Sequence, residues 1–314
     1  MFDAKSFIEE HVETIRRQVG GKAIIACSGG VDSTAAAALA SRALGPNLLA
    51  VYVDNGLMRK AESEQVAVML EKLGVSYHIV DAAEEFLSAL AGVVEPEKKR
   101  RIIGGEFIEV FEREAASFGA EWLIQGTIAP DWIESGGKLR DRIKSHHNVG
   151  GLPGIMKLKL VEPLRDLYKD EVRQVARVLG VSVSERQPFP GPALAVRVMG
   201  EVTKEKVALV REACSIVEEE IERAAEAGSM PLPWQYFAML LDTKSVGVQG
   251  DLRVYGYTIG VRAVDSIDGM TASYSKIPHD VLETISIRLT NEIKGINRVV
   301  YDISNKPPAT IEWE

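Results

Sequence analysis

With 314 residues, 46% of them hydrophobic and 26% charged, the chain is long enough for one large domain and a smaller one. Its formal net charge of -8 argues against a nucleic-acid-binding surface spread over the molecule, and two cysteines, Cys27 and Cys214, supply neither a disulfide framework nor a CxxC metal site. The first twenty residues are charged and helical in period, and no run reaches the roughly 18 apolar residues of a membrane span, so a cytoplasmic chain with no membrane or nucleic-acid partner is expected.

From residue 22 to about 180 short apolar runs alternate with helical patterns. KAIIAC, LLAVYV (48–53), SYHIV (76–80), EWLIQG (121–126) and LKLVEPL lack strict alternation, as strands buried on both faces do. Between them TAAAALASRAL, AESEQVAVMLEKLG and EKKRRIIGGEFIEVFEREAASFG carry apolar residues at helical spacing, and the last two stop at Gly74 and Gly119. A further helix is predicted from Tyr168 to Leu179. Strand and helix in this order imply an α/β fold, a parallel sheet with helices on both faces and ligands at the carboxyl ends of its strands. The stretch TIAPDWIESGGKLRDRIKSHHNVGGLPGIMK interrupts the pattern with five glycines and two prolines among many charges, and residues 127–150 read as a lid.

Past the proline-rich hinge RQPFPGPALAVRV (186–198) the character changes. A long amphipathic helix over 203–227 is followed by WQYFAMLLD, the alternating run RVYGYTIGVRAV, a helix starting near Pro278 and the strand NRVVYDIS. The expected division is a first domain over 1–185 and a smaller α+β domain over 186–314. The strands after residue 236 leave an apolar face, for which a two-fold homodimer is the simplest cover.

The segment most loaded with chemistry is SGGVDS, placed between the first strand and the helix that follows it. There a helix offers unpaired N–H groups and the positive end of its dipole, so the turn suits a phosphate. Gly29 and Gly30 admit a close backbone approach, and the hydroxyls of Ser28, Ser33 and Thr34 add donors. Asp32 reads two ways, as a helix N-terminal cap or as the carboxylate that meets Mg²⁺ carried by a nucleotide. GxxxxGK[ST] is absent.

SGGVDS resembles the SGGxDS loop of the pyrophosphatase-type ATP enzymes (the PP-loop, adenine nucleotide α-hydrolase-like fold). VDNGLMR, EKKRRIIG, GTIAPDWIES, KSHHNVGGLP, RQPFPGPALAVRV and KPPATIEWE resemble, in order, segments of the ATP pyrophosphatase part of the GMP synthetases. That resemblance implies a ligase that adenylates the C2 oxygen of xanthosine 5'-monophosphate (XMP), releases pyrophosphate, and lets ammonia displace AMP to give GMP. It assigns Ser28, Gly29, Gly30, Asp32, Ser33 and Thr34 to the pyrophosphate and its Mg²⁺, with Val53 and Gly126 toward the adenosine. Val53 reads nearly as well as plain core. Asp131 and Glu134 match an acidic pair that receives protons or orients a second metal, and Lys144, His146 and His147 match the lid motif KxHHN. For XMP it implies Arg100, with Arg101 one register step away, together with Arg186, Pro190, Gly191 and Gln249. In the hinge Gln187 and Ala193 stand where the family has His and Gly.

Pro307 and Pro308 cannot continue a ladder, so KPPATIEWE reads as a stiff exit from the last strand. The resemblance gives Lys306 to the XMP phosphate and Ile311 and Glu312 to the purine. Docking of Ile311 and Trp313 against the last strand is compatible with this. No glutaminase can be assembled from the two cysteines, so ammonia is expected from a separate glutamine amidotransferase subunit or from solution. Competing readings are NAD synthetase, argininosuccinate synthetase and the tRNA thiolases, which share the loop, and a module that binds ATP or XMP without turnover.

Overall fold

The computed structural model of the chain describes residues 2–130, 158–181, 187–267 and 269–314. In chain order these form α1 (Ala4–Gln18), β1 (Ala23–Ala26), α2 (Val31–Leu44), β2 (Leu48–Asp54), α3 (Glu62–Lys72), β3 (Tyr77–Asp81), α4 (Ala83–Ala89), α5 (Pro96–Phe118), β4 (Trp122–Ile124) and β5 (Lys159–Val161). They continue through α6 (Lys169–Leu179), α7 (Lys204–Glu226), β6 (Gln235–Gln249), β7 (Leu252–Asp265), β8 (Ser273–Tyr274), α8 (His279–Glu292) and β9 (Ile296–Tyr301). Contacts divide the chain into two compact units: Met1–Asp54, Ala61–Ala82 and Gly105–Glu185 make the first, and Asn55–Lys60, Ala83–Gly104 and Arg186–Glu314 the second.

In the first unit five strands pair in parallel in the order β3-β2-β1-β4-β5. Ala23, Ile24, Leu48, Ala50 and Val51 are wholly buried, which is why β1 and β2 lack alternation. The edge strand β3 is mostly exposed, with Val80 its one buried residue, against the expectation of burial on both faces. Helix α2 is buried almost all round, and its Ala35, Ala36, Ala37 and Ala40 let it lie close against α1, α6 and the sheet. Its exit is capped from α1: the Arg16 guanidinium donates to the carbonyls of Arg42 (3.0 Å) and Ala43 (3.3 Å), orphan acceptors of the last turn. The strand order reverses between β1 and β4. In such a sheet the crevice at the carboxyl ends of the strands flanking the reversal is where ligands bind.

The second unit is built on a long antiparallel hairpin of β6 and β7, joined at Gly250 and Asp251, with β8 antiparallel and β9 parallel to β7. Gly250 takes a φ of +58°, as a tight two-residue hairpin turn requires. Val210, Ala213, Val217 and Ile221 of α7 bury one helix face, and α7 packs on β6. Strand β6 runs seven residues past the expected end at Asp242, because the register shifts between Leu241 and Lys244 and pairing resumes beyond. Residues 55–60 join this unit through hydrogen bonds. Leu194 N–H donates to Leu57 O (2.9 Å), Arg211 Nε to Met58 O (2.9 Å) and Arg59 Nη2 to Gln187 O (3.2 Å).

The hinge substitutions have structural counterparts. Gln187 is tied on both sides of its amide: Oε1 accepts from Tyr236 N–H (2.7 Å) and Nε2 donates to Glu218 (2.9 Å). Ala193 adopts a φ of +54° while buried. Left-handed backbone costs a residue with a Cβ about 1–2 kcal/mol, which is the physical reason for glycine at this place in the resembling family.

Candidate functional site

Every described residue expected to meet ATP lies in the first unit, and every described residue expected to meet XMP lies in the second. In the first, SGGVDS forms the turn from β1 into α2. Gly30 is the N-terminal cap, and it has no side chain with which to occupy the donors of the first turn. Gly29 has a φ of +78°, and a Cβ there would come within 2.8 Å of Val66 Cγ2 on α3. The turn is braced from inside: Ser28 N–H donates to Ser33 Oγ (3.3 Å), and Ser33 Oγ donates to Gly30 O (3.2 Å).

Across the strand reversal, the loop after β4 presses on this turn. A Cβ on Gly126 would stand 3.0 Å from both Cα and N of Ser33, so two backbones touch with no room for a side chain. Gly126→Ala is therefore expected to push the start of α2 aside, with a loss of about 1–3 kcal/mol and a rise in the ATP KM of about tenfold or more. Thermal melts and initial rates at varied ATP check it; an ATP KM equal to wild type would remove the contact from the site.

Asp32 Oδ1, Thr34 Oγ1, Gln125 Oε1 and Thr127 Oγ1 are buried and find no hydrogen-bond partner among the described residues. Native interiors rarely leave such atoms unpaired, and these four, in the first turn of α2 and in the segment after β4, are acceptors open to a polar ligand or water. The other oxygen of Asp32 is engaged, with Lys169 Nζ 2.6 Å from Oδ2. Sequence reasoning misses Lys169. A signal is present, because Lys169 is the first residue of α6, where positive charge opposes the helix dipole. Val53 is buried in β2 opposite Val80, which fits its reading as core. No group of three His, Cys, Asp or Glu suited to a metal occurs among the described residues. Burial pushes the Cys27 thiol up to about 12 and raises Cys214 as well, so both cysteines are held as neutral thiols.

In the second unit the terminal segment is anchored at several points. The carboxylate of Glu312 accepts from Arg197 Nε (3.2 Å) and Nη2 (2.9 Å) and from Gln235 Nε2 (3.0 Å). Arg197 is wholly buried, its guanidinium 4.1 Å from the Phe237 ring centre. Burial works against that cation, and the Glu312 carboxylate outweighs it, leaving Arg197 above its ordinary range. A carboxylate has about four acceptor positions, so one remains for a ligand N–H. Lys306 donates to Gly269 O (2.8 Å), and its backbone pairs with Ala272. Ile311 is half-buried, and its carbonyl accepts from Arg262 (3.2 Å).

Arg100 donates to the Glu314 carbonyl and lies 3.2 Å from Glu97, whereas Arg101 is exposed. Its neighbour Lys99 is wholly buried and donates to Val198 O (2.8 Å) and to the Glu314 carboxylate. Pro190 O accepts from Ala193 N–H (2.9 Å), and Gly191 is exposed with open space around its Cα. Gln249 ends β6 in register with Leu252. Asp131, Glu134, Lys144, His146, His147 and Arg186 lie outside the described residues, as does the side chain of Gln249.

A family model described as NAD synthase matches residues 2–107, and one described as GMP synthase C terminal domain matches residues 219–313. Over 318 residues the chain is 59% identical to the B subunit of the glutamine-hydrolyzing GMP synthase of Methanopyrus kandleri, covering 100% of both chains. It is 57% identical over 309 residues to the corresponding B subunit of Thermoplasma acidophilum, covering 98% of this chain and 99% of the relative. With that of Pyrococcus horikoshii it shares 60% identity over 312 residues, covering 98% of each.

Proposed function

Because the chain belongs to the family of GMP synthase B subunits, we propose a division of labour for its residues in the ATP-dependent conversion of XMP to GMP. The protein is a ligase that forms a C–N bond. The C2 oxygen of XMP attacks the α phosphorus of ATP, the bond to the bridging oxygen breaks, and pyrophosphate leaves. Ammonia then adds at C2, and AMP departs with the former C2 oxygen. The observation that carries the residue assignment is the set of unpaired buried oxygens at the start of α2, on the strands flanking the reversal.

Ser28, Gly29, Gly30, Ser33 and Thr34 hold the β and γ phosphates, through N–H groups pointing along the dipole of α2 and through their hydroxyls. Gly126 and Thr127 close the other wall, and Val53 borders the adenosine. Lys169 neutralises phosphate charge as a point cation. Mg²⁺ fits this donor set as an ion that arrives on the nucleotide: the free Asp32 Oδ1 supplies one ligand, and phosphate and water supply the rest. When bound, it disperses the negative charge that gathers on the leaving pyrophosphate. In the second unit Arg100 and Lys306 take the XMP phosphate, Glu312 a purine N–H, and Pro190, Gly191, Gln249 and Ile311 its borders.

Ammonia comes from a separate glutaminase subunit, in keeping with two buried, neutral cysteines that cannot serve as a glutaminase nucleophile. The homodimer contact belongs to the second unit, where Val246 and Tyr255 face each other across the hairpin beside Val248, the last two 73% exposed. No helix among the described residues is long and apolar enough to cross a membrane, and a cytoplasmic setting is part of this reading. The test mixes the protein with Mg-ATP, XMP and an ammonium salt and separates the nucleotides. AMP and GMP in equal amounts are expected, with glutamine alone giving neither. Accumulating ADP would overturn the reading.

A further inference from the structure

Arg262 sits near the C-terminal end of β7, opposite Phe237, with no exposed surface. A guanidinium buried so deeply is costly unless its donors are matched. Four of its five N–H donors find acceptors, all in one short segment that follows β9. Nε donates to Ile311 O (3.2 Å), Nη1 to Ser304 O (2.8 Å) and Nη2 to Thr310 O (2.9 Å), and Nη1 stands 3.0 Å from Asp302 Oδ2. That same Asp302 oxygen accepts from the Trp313 indole N–H (2.8 Å). Residues 302–314 hold no regular element beyond one bridge at Lys306, so their course is not fixed by a ladder. It is fixed by a cation that draws three carbonyls and a carboxylate, spread over ten positions, onto a single planar fork.

We propose that Arg262 is a positioning residue for the purine nucleotide substrate: it touches no ligand, and sets the loop 302–312 so that Lys306 and Glu312 stand where XMP needs them. This rests on the reading of those two residues as XMP contacts. The loop leaves the fork at Ser304 and returns to it at Thr310, with Lys306 on the outgoing limb and Glu312 just past the return. Each has its own tether, to Gly269 O and to Arg197, but the distance between the two side chains is governed by the fork they share. Lysine cannot replace it, because one ammonium does not present in-plane donors to four separated acceptors.

The experiment compares Arg262→Lys and Asp302→Asn with wild type, in the full chain, by initial rates with ammonium at varied XMP and varied ATP. Incorporated 5-fluorotryptophan supplies a ¹⁹F signal for Trp313, assigned by Trp313→Phe. In Arg262→Lys the XMP KM should rise about tenfold or more, the ATP KM should stay within about twofold, and the Trp313 signal should shift or broaden. Asp302→Asn keeps the carbonyl contacts and should move the XMP KM the same way by less. If Arg262→Lys does not fold, Asp302→Asn decides by the same criteria. An XMP KM unchanged in the variant that decides overturns the proposal, as does an equal rise in both KM values. Lys306→Ala separates the two levels. If it leaves the XMP KM untouched, the reading of the segment as an XMP site fails; if it raises that KM while Arg262→Lys does not, only the positioning role fails.

Discussion

Asp32→Ala should lower XMP-dependent pyrophosphate release on the order of 10³-fold while the protein stays folded, because the carboxylate matters to the ligand far more than to the helix. For the fold, Asp32 offers a negative charge in the first turn of α2, worth about 0.3–1 kcal/mol against the dipole. Its ion pair with Lys169 is half exposed on the lysine side and adds at most about 1 kcal/mol. Against this stands the unpaired Oδ1, whose removal from the interior recovers part of the loss. The net change in the melting temperature should be a few degrees at most.

For the reaction the balance is reversed. On the proposed reading, removing Asp32 takes away the carboxylate that would meet nucleotide-borne Mg²⁺, and the Lys169 ammonium loses the partner that now fixes it 2.6 Å away. Asp32→Asn tests charge against shape, since the amide fills the same space but is a poor ligand for a hard cation, and it should be nearly as inactive. Pyrophosphate release and circular dichroism melts decide the matter together. Turnover within about threefold of wild type, or a collapse of the fold matching the lost activity, would each remove Asp32 from the chemistry.

What can be read from the sequence follows from the range of the interactions. The β1–α2 turn is legible because strand, glycines and alanine helix are adjacent, and each declares itself locally by burial, φ or packing. The alternation read in RVYGYTIGVRAV is not how β7 is buried: Thr258 to Val264 lie buried without a break, as in a strand covered on both faces. Helix α4 escapes a sequence reading, being only seven residues long and burying a single large side chain, Phe86. Strand β6 reads short because Gln235 to Leu240 are buried without a break, whereas past the irregularity after Leu241 the strand is mostly exposed and no longer reads as apolar.

Pairings over long separations leave weaker traces. Lys169 meets Asp32 across 137 positions, and Arg197 meets Glu312 across 115. The chain exit at KPPATIEWE is expected to be rigid because of its prolines. The structure adds a second cause that prolines cannot announce: two wholly buried arginines, Arg197 and Arg262, gather the segment from within apolar runs.

Glu312→Gln should be the most destabilising of the single changes considered, and the reason lies in Arg197. With the carboxylate neutralised, a guanidinium with no exposed surface keeps only the Phe237 face, the more distant Phe189 ring and weak contacts to Cys214 and the new amide. Breaking a buried pair from one side costs about 3–5 kcal/mol, and at roughly 2–4 °C per kcal/mol the melting temperature should fall by about 10 °C. XMP affinity should fall with it, which alone does not separate a lost purine contact from a loosened fold. The double variant Arg197→Met with Glu312→Leu does. Replacing both charges by apolar groups of similar volume is often neutral or stabilising, so the melt should recover most of its loss. The XMP KM should stay high, since neither side chain can accept a purine N–H. Recovery of stability and XMP affinity together would mean that Glu312 serves the fold and touches no substrate.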